Sequence, residues 1–203
     1  MSKNIFDNTE TAFALKSDTE LERAYFLFKM ISVEPLVKIG TAATNFALKA
    51  NLPIEGLIRS TVFDHFCGGI SEEDCLPVIN SMYKKGVSSV LDYSVEGKEN
   101  EQEFDKALET VLNIIEFAKA LDAIPIAVFK PSGFGRFKLY EKINQNLELT
   151  RAETEEWKRV EARFDSVCKK AKAYDVAVLI DAEESWIQDA ADGLVAKMMK
   201  RYN

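Results

Sequence analysis

The 203-residue chain is 47% hydrophobic, enough to build a sizeable core in one domain. Its 26 basic and 33 acidic residues leave a net charge of −7, spread along the chain. That balance lacks the basic stripe nucleic acid requires and disfavours tight electrostatic attachment to anionic lipid. A single histidine, His65, argues against a Ser-His-Asp triad or a multi-histidine zinc site. Cys67, Cys75 and Cys168 are odd in number and lack metal or redox spacing, so each is expected to be a buried thiol in a reducing compartment.

Residues 1–86 read as a helical arm. Acidic residues (Asp7, Glu10, Asp18, Glu20, Glu22) punctuate its first part, with neither a signal-peptide apolar region nor transit-peptide character. No apolar run reaches the roughly 20 residues that span a bilayer, so the expected location is the bacterial cytoplasm. Ser17-x-x-Glu20 is a capping-box pattern opening a helix with Leu21, Ala24, Tyr25, Phe28 and Ile31 on one side. Pro35 permits a second helix through Ala50, and Pro53 opens a short third. Phe66-Cys-Gly-Gly69 interrupts the pattern, Ser71-x-x-Asp74 starts another helix, and Gly86 stands at a plausible stop.

Residues 87–203 alternate strand and helix. Val87–Leu91, Ile124–Phe129 and Val176–Ile180 are apolar runs that read as buried parallel strands. Phe104, Ala107, Leu108, Val111, Leu112, Ile115, Ala118 and Leu121 form a helical stripe between the first two. Thr150-x-x-Glu153 caps a helix ending near Tyr174, and Ser185-x-x-Gln188 is expected to cap the last one. The βα order implies right-handed crossovers and an α/β fold: the first three units of a (β/α)8 barrel, which spends about 30 residues per unit. Three such strands would leave open edges, so the chain is expected to be the first part of a larger domain.

Each run ends in charge: Asp92 with Tyr93, Lys130, and Asp181 with Glu183. The carboxyl ends of such strands are where α/β proteins bind ligands. Lys130 could hold a substrate carboxylate, form a Schiff base, or pair with a neighbouring aspartate. Asp181 and Glu183 could bind metal, work as acid and base, or anchor a cationic group, whereas Glu184 is read as complementing a helix dipole. Gly133-Phe-Gly135 lacks the third glycine of a dinucleotide fingerprint and is read as a turn. His65, Trp186 and Met198-Met199 are read as packing residues.

Taken together, Val62-Phe-Asp-His-Phe-Cys-Gly-Gly69, Leu91-Asp92-Tyr93-Ser94-Val95-Glu96-Gly97, Phe129-Lys130-Pro-Ser-Gly133 and Ile180-Asp181-Ala-Glu183-Glu184-Ser185 resemble monofunctional FAD-dependent proline dehydrogenase. The Asp-Ala-Glu-Glu stretch is the most specific element. The resemblance implies a distorted (β/α)8 barrel preceded by helices, and oxidation of L-proline to 1-pyrroline-5-carboxylate. It also implies hydride transfer to FAD, electrons passed to a membrane quinone, and peripheral attachment at the inner membrane as an alternative location. By motif position Lys130 matches the lysine that pairs with the substrate carboxylate, and Asp181 the aspartate that organises the catalytic mouth. Asp92 is assigned to substrate, with Glu183 and Glu96 supporting from behind. The sequence stops in the helix after the third strand, without the family's later strands or its tyrosine and paired-arginine motif. An incomplete, inactive fragment is therefore expected. The alternatives are a Schiff-base aldolase using Lys130 and a non-catalytic fragment that self-associates through an open sheet edge.

Overall fold

The computed structural model describes residues 7–93 and 98–203. Two compact units divide at Ser81 and Met82. In the first, α1 (Thr9–Ala12), α2 (Asp18–Ile31) and α3 (Glu34–Lys49) precede α4 (Glu55–Ile58), a π-turn (Arg59–Phe63) and α5 (Asp64–Phe66). The expected capping box forms: the Glu20 N–H donates to Ser17 Oγ, and the Ser17 N–H donates to Glu20. Pro35 sits in the first turn of α3, where its missing N–H costs nothing. Among the described residues of this unit only Ile79 is buried; Tyr25 and Phe46 are each 70% exposed. His65 meets Phe28 and Phe66 edge-on, with ring centroids 5.2 and 4.8 Å away, which fits the packing role.

The helix α6 (Glu72–Tyr83) begins with the Asp74 N–H donating to Ser71 Oγ. It stops at Gly86, whose φ of +77° is the left-handed stop that glycine adopts without strain. The second unit then runs β1 (Val90–Leu91), α7 (Glu101–Lys119), β2 (Ile126–Phe129), a 3-10 turn (Pro131–Gly133), α8 (Phe137–Asn144), α9 (Arg151–Tyr174), β3 (Ala177–Ile180) and α10 (Gln188–Tyr202). The strands form one parallel sheet in the order β1-β2-β3. The chain is thus α/β and mostly helical, around a small parallel sheet. Its core joins Val111, Ile114 and Ile115 of α7, Val160, Phe164 and Val167 of α9, and Ala191, Leu194 and Met198 of α10. Among the described residues no helix is long and apolar enough to cross a membrane, and no cluster could hold a metal ion.

Several expectations need correction. β1 is only two residues long, because Val87 and Val90 remain nearly half exposed and Ser88 and Ser89 have little to bury. β3 is not buried on both faces: among the described residues it pairs on one side only, and Leu179 is 50% exposed. The connection after Lys130 contains α8, a helix the sequence reading did not anticipate. Ser185 does not cap α10. The capping acceptor comes from across the fold, where Asn144 Oδ1 of α8 accepts the Ala190 N–H. Cys67 is exposed, while Cys75 and Cys168 are partly buried, so the expectation of three buried thiols fails at Cys67.

Gly135 is a packing glycine. A Cβ there would lie 2.6 Å from Val160 Cγ2 and 3.3 Å from Tyr140 Cε2. Gly135→Ala should therefore destabilise the fold by about 1–3 kcal/mol through overpacking. Adding Val160→Ala should recover part of that loss. An unchanged melting temperature in Gly135→Ala alone would refute the close approach.

Candidate active site

The β2–β3 register carries the site. Phe129 pairs with Ile180, and the Asp181 N–H donates to the Phe129 carbonyl at 3.0 Å, extending the ladder past both strands. Lys130 and Asp181 therefore emerge side by side. Lys130 Nζ donates to Asp181 Oδ2 at 2.7 Å, with the lysine side chain 16% exposed and the aspartate 46%. The hydrogen bond to Asp181 raises the Lys130 pKa above its ordinary value, and the charges of Asp181, Asp92 and Glu183 act in the same direction against burial. Lys130 is a protonated cation at neutral pH, set among three carboxylates.

Two residues beyond each of these, a second pair repeats the first. The Ser132 backbone N–H donates to Glu183 Oε2 at 2.7 Å, and Ser132 Oγ donates to Glu183 Oε1 at 2.5 Å. The turn between them is buried, and Tyr140 Oη donates to the Pro131 carbonyl at 2.8 Å from α8. Burial pushes the Tyr140 phenol well above its usual range, so it remains a donor. Phe134 closes the turn by stacking on Phe129 (centroids 4.8 Å apart), and Phe164 of α9 meets both edge-on. Arg163, 4% exposed, donates to the Phe134 carbonyl and to Asp105, and pairs with Glu101. Arg136 forks onto Glu156. These contacts fasten the turn to α7, α8 and α9.

The structure thus brings Lys130, Asp181, Asp92 and Glu183 together at the carboxyl end of one sheet. Glu96 lies outside the described residues. The sequence reading missed Ser132 and Tyr140. The signal for Ser132 was its place two residues after Lys130, matching Glu183 two after Asp181. Glu184 is exposed and lies ahead of α10, while the Glu183 N–H donates to Gln188 Oε1. A separate groove of about 510 Å³ runs along the free edge of β3, lined by Val178, Leu179, Ile180, Val195, Met198 and Tyr202 among others.

The helices α7 and α9 carry a pH dependence. A hydrogen bond from Lys142, with further ones from Thr150, lowers Glu153 to about 2. Its folded pKa lies below the ordinary 4.5, so its contribution is present above about pH 4.5 and lost as pH falls toward 2. Glu101 is lowered chiefly by Arg159 and adds in the same direction. Denaturation midpoints should fall across that window, and Glu153→Gln, which can still cap α9, should flatten the slope. An identical slope in the variant would contradict the assignment.

Comparison with known proteins matches residues 75–203 to the proline dehydrogenase family. The chain is 36% identical over 149 residues to the carbapenem antibiotics biosynthesis protein CarD of Pectobacterium carotovorum subsp. carotovorum, covering 73% of this chain and 40% of that protein. It is 37% identical over 101 residues to the mitochondrial proline dehydrogenase 1 of Caenorhabditis elegans, covering 48% of this chain and 16% of the relative. It is 24% identical over 233 residues to the hydroxyproline dehydrogenase of Mus musculus, covering 95% and 51% respectively. The chain spans about half or less of the length of these relatives.

Proposed function

The chain belongs to the proline dehydrogenase family, an oxidoreductase family, and on that premise we propose that its sheet mouth forms part of a site for oxidising L-proline to 1-pyrroline-5-carboxylate. The proposed acceptor of the hydride is FAD, with electrons passing on to a membrane quinone. The proposed setting is the bacterial cytoplasm, at the surface of the inner membrane. The observation that carries this reading is the Lys130–Asp181 pair at adjacent strand ends, within the region matched to the family.

The roles follow from charge and reach. Lys130, a single flexible cation, is suited to a substrate carboxylate. Asp181, short and fixed at its strand end, arranges the mouth, and Asp92 and Glu183 add negative charge. A zwitterionic amino acid answers both signs, its carboxylate to Lys130 and its ammonium to the acids. A Schiff-base role fits less well, because the nucleophile must be an uncharged amine and Asp181 holds Lys130 protonated. The similarity to CarD, named for carbapenem antibiotics biosynthesis, supports a second reading, in which the substrate is an intermediate of antibiotic assembly.

The described residues do not enclose a flavin. Among the described residues the sheet has three strands, and Leu179 is half exposed on the last of them; an extended cofactor needs walls on several sides. The reading is tested by ligand binding to the chain. L-Proline should bind more tightly than pyrrolidine or cyclopentanecarboxylate, each of which carries only one of the two charges. Equal binding of all three would overturn the site, preference for a modified ring would favour the second reading, and borohydride trapping of a carbonyl compound on Lys130 would favour the aldolase.

The same open edge supports self-association of the 203-residue polypeptide. Leu179 and Met199 are each at least half exposed beside the β3 groove, and an unpaired apolar strand edge is a template for pairing. Sedimentation should show association rising with concentration. A stable monomer at high concentration would refute it.

A further inference from the structure

We propose that Ser132 and Glu183 form a positioning clamp that sets where Lys130 stands, an inference that deepens the carboxylate-binding role proposed above and rests on it for its meaning in catalysis. The clamp continues the strand register by side chains. Phe129 pairs with Ile180 in the sheet, Lys130 with Asp181 just beyond it, and Ser132 with Glu183 two residues further on. One carboxylate takes both donors of one residue, its N–H at 2.7 Å and its hydroxyl at 2.5 Å. Ser132 is 1% exposed, so its donors have no water to turn to when the carboxylate is absent.

The turn is held from the other side as well. The Pro131 carbonyl accepts from the Phe134 N–H at 3.0 Å and from Tyr140 Oη at 2.8 Å. Pro131 restricts Lys130 to extended backbone, and the observed φ of −100° and ψ of 134° fit that restriction. Glu183 is steadied in turn, because its N–H donates to Gln188, whose amide donates to Asp192. With the β2 turn and the β3 loop locked together, the Lys130 ammonium has one favoured place against Asp181. A long lysine on an unclamped turn would sample many, and a misplaced cation loses affinity out of proportion to its displacement. Ser132, Glu183 and Tyr140 are positioning residues here. Neither Ser132 nor Tyr140 is assigned a contact with substrate.

The test reads Lys130 directly, without substrate, in the full chain. The ammonium titration of Lys130 is followed by NMR in wild type, Ser132→Ala, Ser132→Thr and Glu183→Ala, with circular dichroism confirming the fold. Ser132→Ala, which leaves every charge in place, should bring the Lys130 titration down toward that of an ordinary lysine; Glu183→Ala should lower it further, because it also removes a charge; and Ser132→Thr, which keeps both donors, should hold it near wild type. L-Proline affinity should fall about tenfold in Ser132→Ala and recover in Ser132→Thr. If the titration stays at its wild-type position in folded Ser132→Ala, the clamp is refuted. If Glu183→Ala does not fold, the Ser132→Ala and Ser132→Thr comparison decides by the same criterion. A lowered titration in a protein whose wild type does not bind L-proline would uphold the clamp and refute the substrate reading instead.

Discussion

Lys130→Met should weaken L-proline binding roughly 30- to 150-fold, about 2–3 kcal/mol, the size of a lost hydrogen bond to a charged group. Its effect on folding should be much smaller. Asp181 is nearly half exposed, so water can solvate it when the lysine is gone. A pair screened to that degree contributes on the order of 1 kcal/mol or less. The expected signature is a large change in ligand affinity with a small shift in denaturation midpoint. Calorimetric titration and chemical denaturation on the same preparation check both halves. Equal losses in the two would return Lys130 to a structural role. Asp181→Asn should act differently: where turnover can be measured it should lower kcat as well as affinity, because a displaced partner disturbs transition-state geometry.

Phe164→Ala should produce the largest loss of stability, about 3–5 kcal/mol. Phe164 is fully buried and meets Phe129 and Phe134 edge-on, with centroids 5.0 and 5.8 Å away. Removing the ring leaves a cavity bounded by β2, the 3-10 turn and α9, elements that further contacts prevent from collapsing inward. Arg163, the next residue back along α9, holds the Phe134 carbonyl at 3.0 Å. Phe164→Leu should cost distinctly less, because most of the volume is kept. Denaturant midpoints of the two variants make the comparison, and a Phe164→Ala loss below about 1 kcal/mol would show that the site can relax around the gap.

The helices and strands that sequence revealed are those whose signals are local. Ser17 and Glu20, or Thr150 and Glu153, cap helices through residues three apart, and both capping boxes form. The stripe on α7 recurs in its buried Phe104, Ala107, Val111, Ile115 and Ala118. Where the deciding partner lies far along the chain, the local signal misled. Ser185-x-x-Gln188 has the right spacing, yet the donor at the α10 start is met by Asn144, and Gln188 serves Glu183 and Asp192 instead. α8 escaped notice because it is eight residues long, follows Gly133-Phe-Gly135, and has no side-chain cap at Arg136.

The site shows the same division. Apolar runs ending in Asp92, Lys130 and Asp181 point to one sheet face from sequence pattern alone, and the electrostatic neighbourhood of Lys130 includes Asp181, Asp92 and Glu183. The Ser132–Glu183 pair was missed because its matched spacing from Lys130 and Asp181 acquires meaning only with the relative register of two strands separated by α8 and α9. β3 was misread for a different reason. An apolar run reports what a strand can bury, and burial depends on which neighbours are present; among the described residues Leu179, on the edge strand, is left half exposed.

The central claim is that the Lys130 ammonium, held by Asp181, receives the carboxylate of a cyclic amino acid. The most direct measurement follows the Lys130 Nζ resonance during titration with L-proline and, separately, with pyrrolidine, which has the ring and the cationic nitrogen without the carboxylate. The account predicts a saturable shift of that resonance with L-proline, none with pyrrolidine, and loss of the L-proline response in Asp181→Asn. A resonance that L-proline leaves unmoved, or that pyrrolidine moves as far, would contradict it.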